Sequence, residues 1–89
     1  MQGLNVHITG IVQGVGFRPF VFGLASRLGL KGWVKNTSAG VDIEVDGKKE
    51  ALDSFVKLLQ EEAPVLSRID ELTASFRHAS NLGAHRLPL

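Results

Sequence analysis

Eighty-nine residues make one domain's worth of chain, short enough to bury only roughly 60–65% of the surface its unfolded form exposes. With 44% hydrophobic residues it can still assemble a single core, and the absence of cysteine excludes disulfides, zinc–thiolate sites, iron–sulfur clusters and thiol nucleophiles. A formal net charge of +1 gives no global pull toward nucleic acid or anionic membrane. No apolar run approaches the roughly 18 residues of a membrane span, and no charged stretch leads into a hydrophobic one as in a signal peptide. The expected setting is the reducing cytoplasm, with residues 1–89 as one domain.

Leu4, Val6, Ile8 and Val12 alternate with Asn5, His7 and Thr9, the pattern of a half-buried strand. The run stops at a glycine-rich stretch holding Gly14 and Gly16. Arg18 follows at once, and Pro19 opens a segment with helical spacing. A strand, a loop of free backbone N–H groups and a helix N-terminus in succession form a nest for an anion, to which the helix adds about half a positive charge. An arginine fork at that junction grips two oxygens at once. Gln13, Gly14, Val15, Gly16, Phe17 and Arg18 therefore read as a phosphate cradle. The third glycine of the dinucleotide fingerprint is missing, and no Gly-Lys-Ser/Thr follows, so neither standard nucleotide loop is present. A tight turn with an incidental surface arginine is the competing reading. Arg18 in the first turn of a Pro-initiated helix favours the anion site.

Phe17, Val21, Leu24 and Leu28 recur at helical spacing, widened by Phe20 and Ala25, and Gly29 ends that helix in the left-handed conformation with Leu30 folding back on it. Gly32 to Asn36 reads as a short strand and Thr37 to Gly40 as a turn. Val41, Ile43 and Val45 alternate with Asp42, Glu44 and Asp46 in the cleanest strand pattern of the chain, which Gly47 breaks. Ala51, Leu52, Phe55, Val56 and Leu59 form a second amphipathic helix that Pro64 stops. Ile69 to Phe76 reads as a fourth strand, and Ala84 to Leu87 could add a short edge strand.

The order is β-α-β-β-α-β, the split βαβ or ferredoxin-like pattern of the α+β class. Right-handed crossovers place both helices on one face of an antiparallel sheet, with the first and third strands in the middle. The first loop then lies near the far end of the second strand, beside Asn36.

Gly10, Val12, Gln13, Gly14, Val15, Phe17 and Arg18, followed by Gly32, Trp33, Val34, Asn36 and Thr37, resemble the paired motifs of the acylphosphatase family, small ferredoxin-like enzymes that hydrolyse acyl phosphates. The likeness runs from about Val6 through Ser67, Arg68, Ile69 and Asp70. It implies that Arg18 binds the phosphoryl group and that Asn36 positions the attacking water; Thr37, next to Asn36, is a candidate support for the site. Within the family, Arg18 to Val21, Leu28 to Trp33 and Pro64 to Asp70 look more like the N-terminal domain of the HypF-type carbamoyltransferases. Those proteins help mature nickel–iron hydrogenases by activating carbamoyl phosphate, and on that resemblance the chain is excised from a larger one. Their zinc-binding and nucleotide-dependent modules find no room in 89 residues without cysteine. One departure is the C-terminal segment His85 to Leu89, where Pro88 cannot donate to a sheet ladder and confines any final strand to an edge.

The chemistry implied is undemanding. An acyl phosphate is a mixed anhydride with a good leaving group, so catalysis needs positioning and charge stabilisation more than a covalent nucleophile. The loop N–H groups and the guanidinium hold the phosphoryl oxygens, and the Asn36 amide orients water toward phosphorus. No side chain is an obvious general base, and the substrate phosphate can accept the proton. No metal and no cofactor are called for. The expected partners are acyl phosphate or carbamoyl phosphate, inorganic phosphate as product, and further domains of a larger chain, without nucleic acid or membrane.

Blander readings stand beside these. Asn36 precedes a turn, where asparagine is common for local hydrogen bonding, and Thr37 and Ser38 read as turn residues. Phe17 and Trp33 read as core. Asp42, Glu44 and Asp46 read as a solvated sheet face, Arg68 and Asp70 as a structural ion pair, and His7, His78 and His85 as surface residues without metal-site spacing. The alternatives to a HypF-type hydrolase domain are a free-standing acylphosphatase and a non-catalytic carbamoyl-phosphate-binding module. RNA binding, which the same fold also serves, lacks the paired aromatics for base stacking.

Overall fold

The computed structural model describes residues 2–78. They form β1 (Gln2–Ile11), α1 (Phe17–Arg27), β2 (Lys31–Asn36), β3 (Gly40–Gly47), α2 (Lys49–Glu61) and β4 (Arg68–His78). The strands hydrogen-bond in the order β2-β3-β1-β4, antiparallel throughout, so β1 and β3 are interior as the topology predicts. This is the ferredoxin-like β-α-β-β-α-β fold. The candidate edge strand from Ala84 to Leu87 lies outside the described residues.

Strand alternation builds one layer of the core. Leu4, Val6 and Ile8 of β1 and Val41, Ile43 and Val45 of β3 are all buried and share one face of the sheet. The helices supply the other layer from residues three or four apart. Phe17, Val21, Leu24 and Ala25 come from α1, and Leu52, Phe55 and Leu59 come from α2. All belong to one cluster, so both helices cover the same face. Burying a side chain such as Phe55 or Leu24 contributes about 1.5–3 kcal/mol of transfer free energy, and together these residues fix the sheet-to-helix spacing.

The boundaries of α1 bear on the site. The helix begins at Phe17, two residues before Pro19, with Gly16 as N-cap at φ 82°. Pro19 is the third helical residue, where its missing N–H costs no intrahelical bond. Arg18 therefore occupies the second helical position. At the other end Gly29 has φ 70°, and the Leu30 N–H donates to the Ala25 carbonyl at 2.9 Å, which turns Leu30 back into the core.

The uncovered sheet face differs from its sequence reading in two respects. Trp33 pairs with Glu44, so the two-residue period sends Gly32 and Val34 inward and Trp33 outward. It is half-buried there under the Lys35 ammonium, 5.1 Å from the ring centroid, and is not a core residue. Nor are Asp42, Glu44 and Asp46 a freely solvated row. Asp42 pairs with His7, its cross-strand neighbour, while Arg77 reaches Glu44 at 2.5 Å and the buried Asp46 at 3.2 Å. Arg77 arrives from β4 across β1, and it crosses at Gly3, where an added Cβ would lie 2.2 Å from its Nη1. A glycine on β1 thus lets a cation from one neighbouring strand neutralise carboxylates on the other. Arg68 and Asp70 do form an exposed ion pair, Nε to Oδ1 at 2.8 Å.

Candidate functional site

β1 hands the chain directly to the glycine loop, and α1 takes it away. Val12 and Phe17, each 1% exposed, pin the two ends of that loop into the core. Between them Gly14 and Gly16 adopt φ 73° and 82°, conformations that side-chain-bearing residues resist. Left-handed residues set among right-handed ones curve successive N–H groups toward a common centre, the geometry of an anion nest. No atom lies within 4 Å of where a Cβ would sit on either glycine, so the loop stands clear of the body and its backbone is open to a ligand.

The loop, Arg18 and Asn36 share one groove. Val12, Gly14, Gly16, Phe17, Arg18, Pro19 and Asn36 line an open cleft of about 300 Å³. Asn36 ends β2 in register with Val41, on the face of the sheet that carries Val34 and the helices. Two residues 18 positions apart in sequence, on a helix N-terminus and a strand end, thus meet across the groove. Among the described residues neither the Arg18 guanidinium nor the Asn36 amide is engaged in a hydrogen bond or ion pair. A cation, a helix N-terminus and a left-handed loop around a small cleft offer the donors that a compact anion with several oxygens would need.

The turn after Asn36 is held by other groups. Thr37 N–H donates to the Gly40 carbonyl at 2.8 Å, and the Thr37 hydroxyl accepts from the N–H groups of Ala39 and Gly40 at 3.2 and 3.0 Å. Thr37 is therefore the residue that closes the turn, and the Asn36 side chain is left for the groove. Ser38 is exposed. Gln13 holds a position that sequence reasoning missed, because only its backbone N–H was counted. Its Nε2 donates to the carbonyls of Thr37, at 2.5 Å, and Gly40, at 2.8 Å. No signal in a single sequence couples a loop glutamine to two backbone carbonyls 24 and 27 residues away.

A second groove of about 310 Å³ lies on the opposite, uncovered face, among Asn5, His7, Trp33, Asp42, Glu44, Thr73 and Ser75. The carboxylates of Asp42 and Glu44 make it a poor seat for an anion. Among the described residues no cluster of three or more His, Asp or Glu side chains is arranged to hold a metal.

Comparison with known proteins agrees with this fold. A model of the acylphosphatase family matches residues 4–82. Carbamoyltransferase HypF2 of Cupriavidus necator is 52% identical over 69 residues, which are 78% of this chain and 9% of that relative. The chain therefore spans about a tenth of the length of this carbamoyltransferase. The crystal structure of acylphosphatase from Bacillus subtilis superposes with a TM-score of 0.87 at 33% identity, covering 97% of this chain and 94% of that one. Full-length HypF in its phosphate- and nucleotide-bound form gives a TM-score of 0.86 at 44% identity, over 90% of this chain and 11% of that one.

Proposed function

Because the chain belongs to the acylphosphatase family, we propose that the groove between residues 13–18 and Asn36 binds acyl phosphates and hydrolyses them, with carbamoyl phosphate as substrate in a HypF-type protein of hydrogenase maturation. The observation that carries this reading is the convergence of Arg18, the open glycine loop and the unengaged Asn36 amide on one cleft of about 300 Å³. The size suits a phosphoryl group with a small acyl substituent. The likeness to HypF supports the carbamoyl assignment and an origin in a longer chain.

In this mechanism the phosphoryl oxygens lie in the loop, held by backbone N–H groups and the Arg18 fork. Asn36 holds a water by its amide, aimed at phosphorus on the side away from the acyl oxygen. The water oxygen bonds to phosphorus as the bond from phosphorus to the acyl oxygen breaks, and the acyl group leaves as its carboxylate. One proton of the water ends on a phosphoryl oxygen and the other stays on the incoming oxygen, so the products are dihydrogen phosphate and, from carbamoyl phosphate, carbamate. Charge moves from the transferred group to the leaving oxygen, and the fixed donors of the loop need no reorganisation to follow it. The proposed setting is the cytoplasm. No helix among the described residues is long and apolar enough to cross a membrane. The carboxylates in the middle of the uncovered face argue against a nucleic-acid platform there.

The length of the HypF relatives favours a second reading, in which the groove holds carbamoyl phosphate for another part of a larger protein and does not turn it over. Phosphate release from carbamoyl, acetyl and benzoyl phosphate by the isolated chain decides between them. Release from none of the three would leave the binding module and exclude the hydrolase. Either reading predicts that inorganic phosphate stabilises the fold. At about 100 times its dissociation constant the gain is roughly 2.7 kcal/mol, read as a rise in Tm. Amide shift changes on phosphate addition should centre on residues 13–18, and changes centred on the opposite face would refute the site.

A further inference from the structure

Arg18 and Asn36 sit on elements that pack against each other, α1 and β2, without a backbone ladder between them. The loop bearing the nest packs against nothing at Gly14 and Gly16, and Asn36 ends a strand that pairs with β3 alone among the described residues. One interior strand, β3, stands between β2 and β1, so backbone pairing ties the two walls together only indirectly. Among the described residues the side-chain amide of Gln13 makes the hydrogen bonds that join the loop to the turn following Asn36. Both acceptors are backbone carbonyls, so the amide nitrogen must face them and the orientation of the group is fixed. The Gly40 carbonyl takes a bond from Thr37 N–H as well, so the same oxygen closes the turn and anchors the loop.

We propose that Gln13 is a positioning residue that sets the separation between the phosphate-holding loop and Asn36. The inference rests on the acyl-phosphate reading of the groove. With the clamp intact, a phosphoryl group in the loop stays in line with a water on Asn36. Without it the loop still binds phosphate through its N–H groups and Arg18, but the water no longer points reliably at phosphorus.

Gln13→Met keeps the length and removes the donor, and Gln13→Glu keeps the shape and turns the donor into an acceptor facing two carbonyls. Both should lower kcat about tenfold or more while phosphate affinity changes little, since small misplacements of reacting groups carry large rate penalties. In an Asn36→Ala background the same substitutions should cost almost nothing further, because the group they align is gone. Unchanged kcat in both variants, or an equal loss in the Asn36→Ala background, would overturn the clamp. A second arm needs no turnover. Inorganic phosphate should shift the Asn36 side-chain amide and the Gly40 N–H in the wild-type chain. In Gln13→Met those shifts should vanish while residues 14–18 still respond. Their persistence in the variant, or their absence in the wild type, also overturns the proposal. A chain that releases no phosphate from any acyl phosphate refutes the hydrolase reading instead, and this arm then decides the clamp alone.

Discussion

Asn36→Ala is expected to lower kcat by about two orders of magnitude while leaving phosphate affinity nearly unchanged, the signature of losing a preorganised group that acts only on the reacting water. The loop and Arg18, to which the proposed mechanism assigns the phosphate, are intact in this variant. Stability should scarcely move. If Asn36 is only a turn residue, its removal costs about 1 kcal/mol of stability and leaves kcat alone. Thr37 makes the hydrogen bonds that close that turn, through its N–H and its hydroxyl, so truncating Asn36 breaks none of those bonds. Measuring kcat, phosphate affinity and Tm on one preparation separates the two outcomes. Normal turnover with a lowered Tm would remove Asn36 from the mechanism.

Arg18→Ala should weaken phosphate binding and turnover together, because in the proposed mechanism the guanidinium holds the phosphoryl oxygens both before and during the reaction. Loss of charge-assisted hydrogen bonds of about 1.5–3 kcal/mol corresponds to at least a tenfold drop in affinity, with a larger drop in kcat/KM. The fold should survive, since the side chain is exposed and unengaged among the described residues. Arg18→Lys should not restore activity, because an ammonium group is a point charge without the planar fork that matches two oxygens. Wild-type kinetics in Arg18→Ala, measured at phosphate-free and phosphate-saturated conditions, would sink the assignment of this groove.

The features of the fold that were legible in the sequence are those set by local periodicity. Alternation at Val41, Ile43 and Val45 and helical spacing at Leu52, Phe55 and Leu59 each report burial on one side, and all six are buried. The loop was legible because glycine is used where left-handed backbone is required, and Gly14 and Gly16 adopt it. The meeting of Arg18 with Asn36 followed from topology alone, since strand order fixes which ends are neighbours. What escaped the sequence depends on cross-strand neighbours, which the chain does not record. Trp33 is apolar and bulky, but the register of β2 against Glu44 turns it outward. Arg77 neutralises Glu44 and Asp46 by passing over Gly3, a contact spanning three strands. The start of α1 was placed at Pro19 because proline is the strongest local mark, whereas the capping geometry belongs to Gly16. Gln13 was read for its backbone, and its side chain donates to the carbonyls of Thr37 and Gly40.

The interior position of β1 and the outer position of β2 divide the groove into regions of unequal resilience. The strand that leads into the glycine loop is laced to β3 as far as Thr9 and to β4 as far as Ile11, so its paired backbone amides belong to the last part of the sheet to open. Asn36 hangs from the last rung of a six-residue ladder that, among the described residues, is tied on one side. Fraying of the Lys35–Asp42 and Asn36–Val41 rungs needs no such concerted event. As heat or denaturant loosens the molecule, the wall that carries Asn36 is expected to depart before the wall that leads into the glycine loop. Under the proposed function, partial melting would therefore abolish turnover before it abolishes phosphate binding.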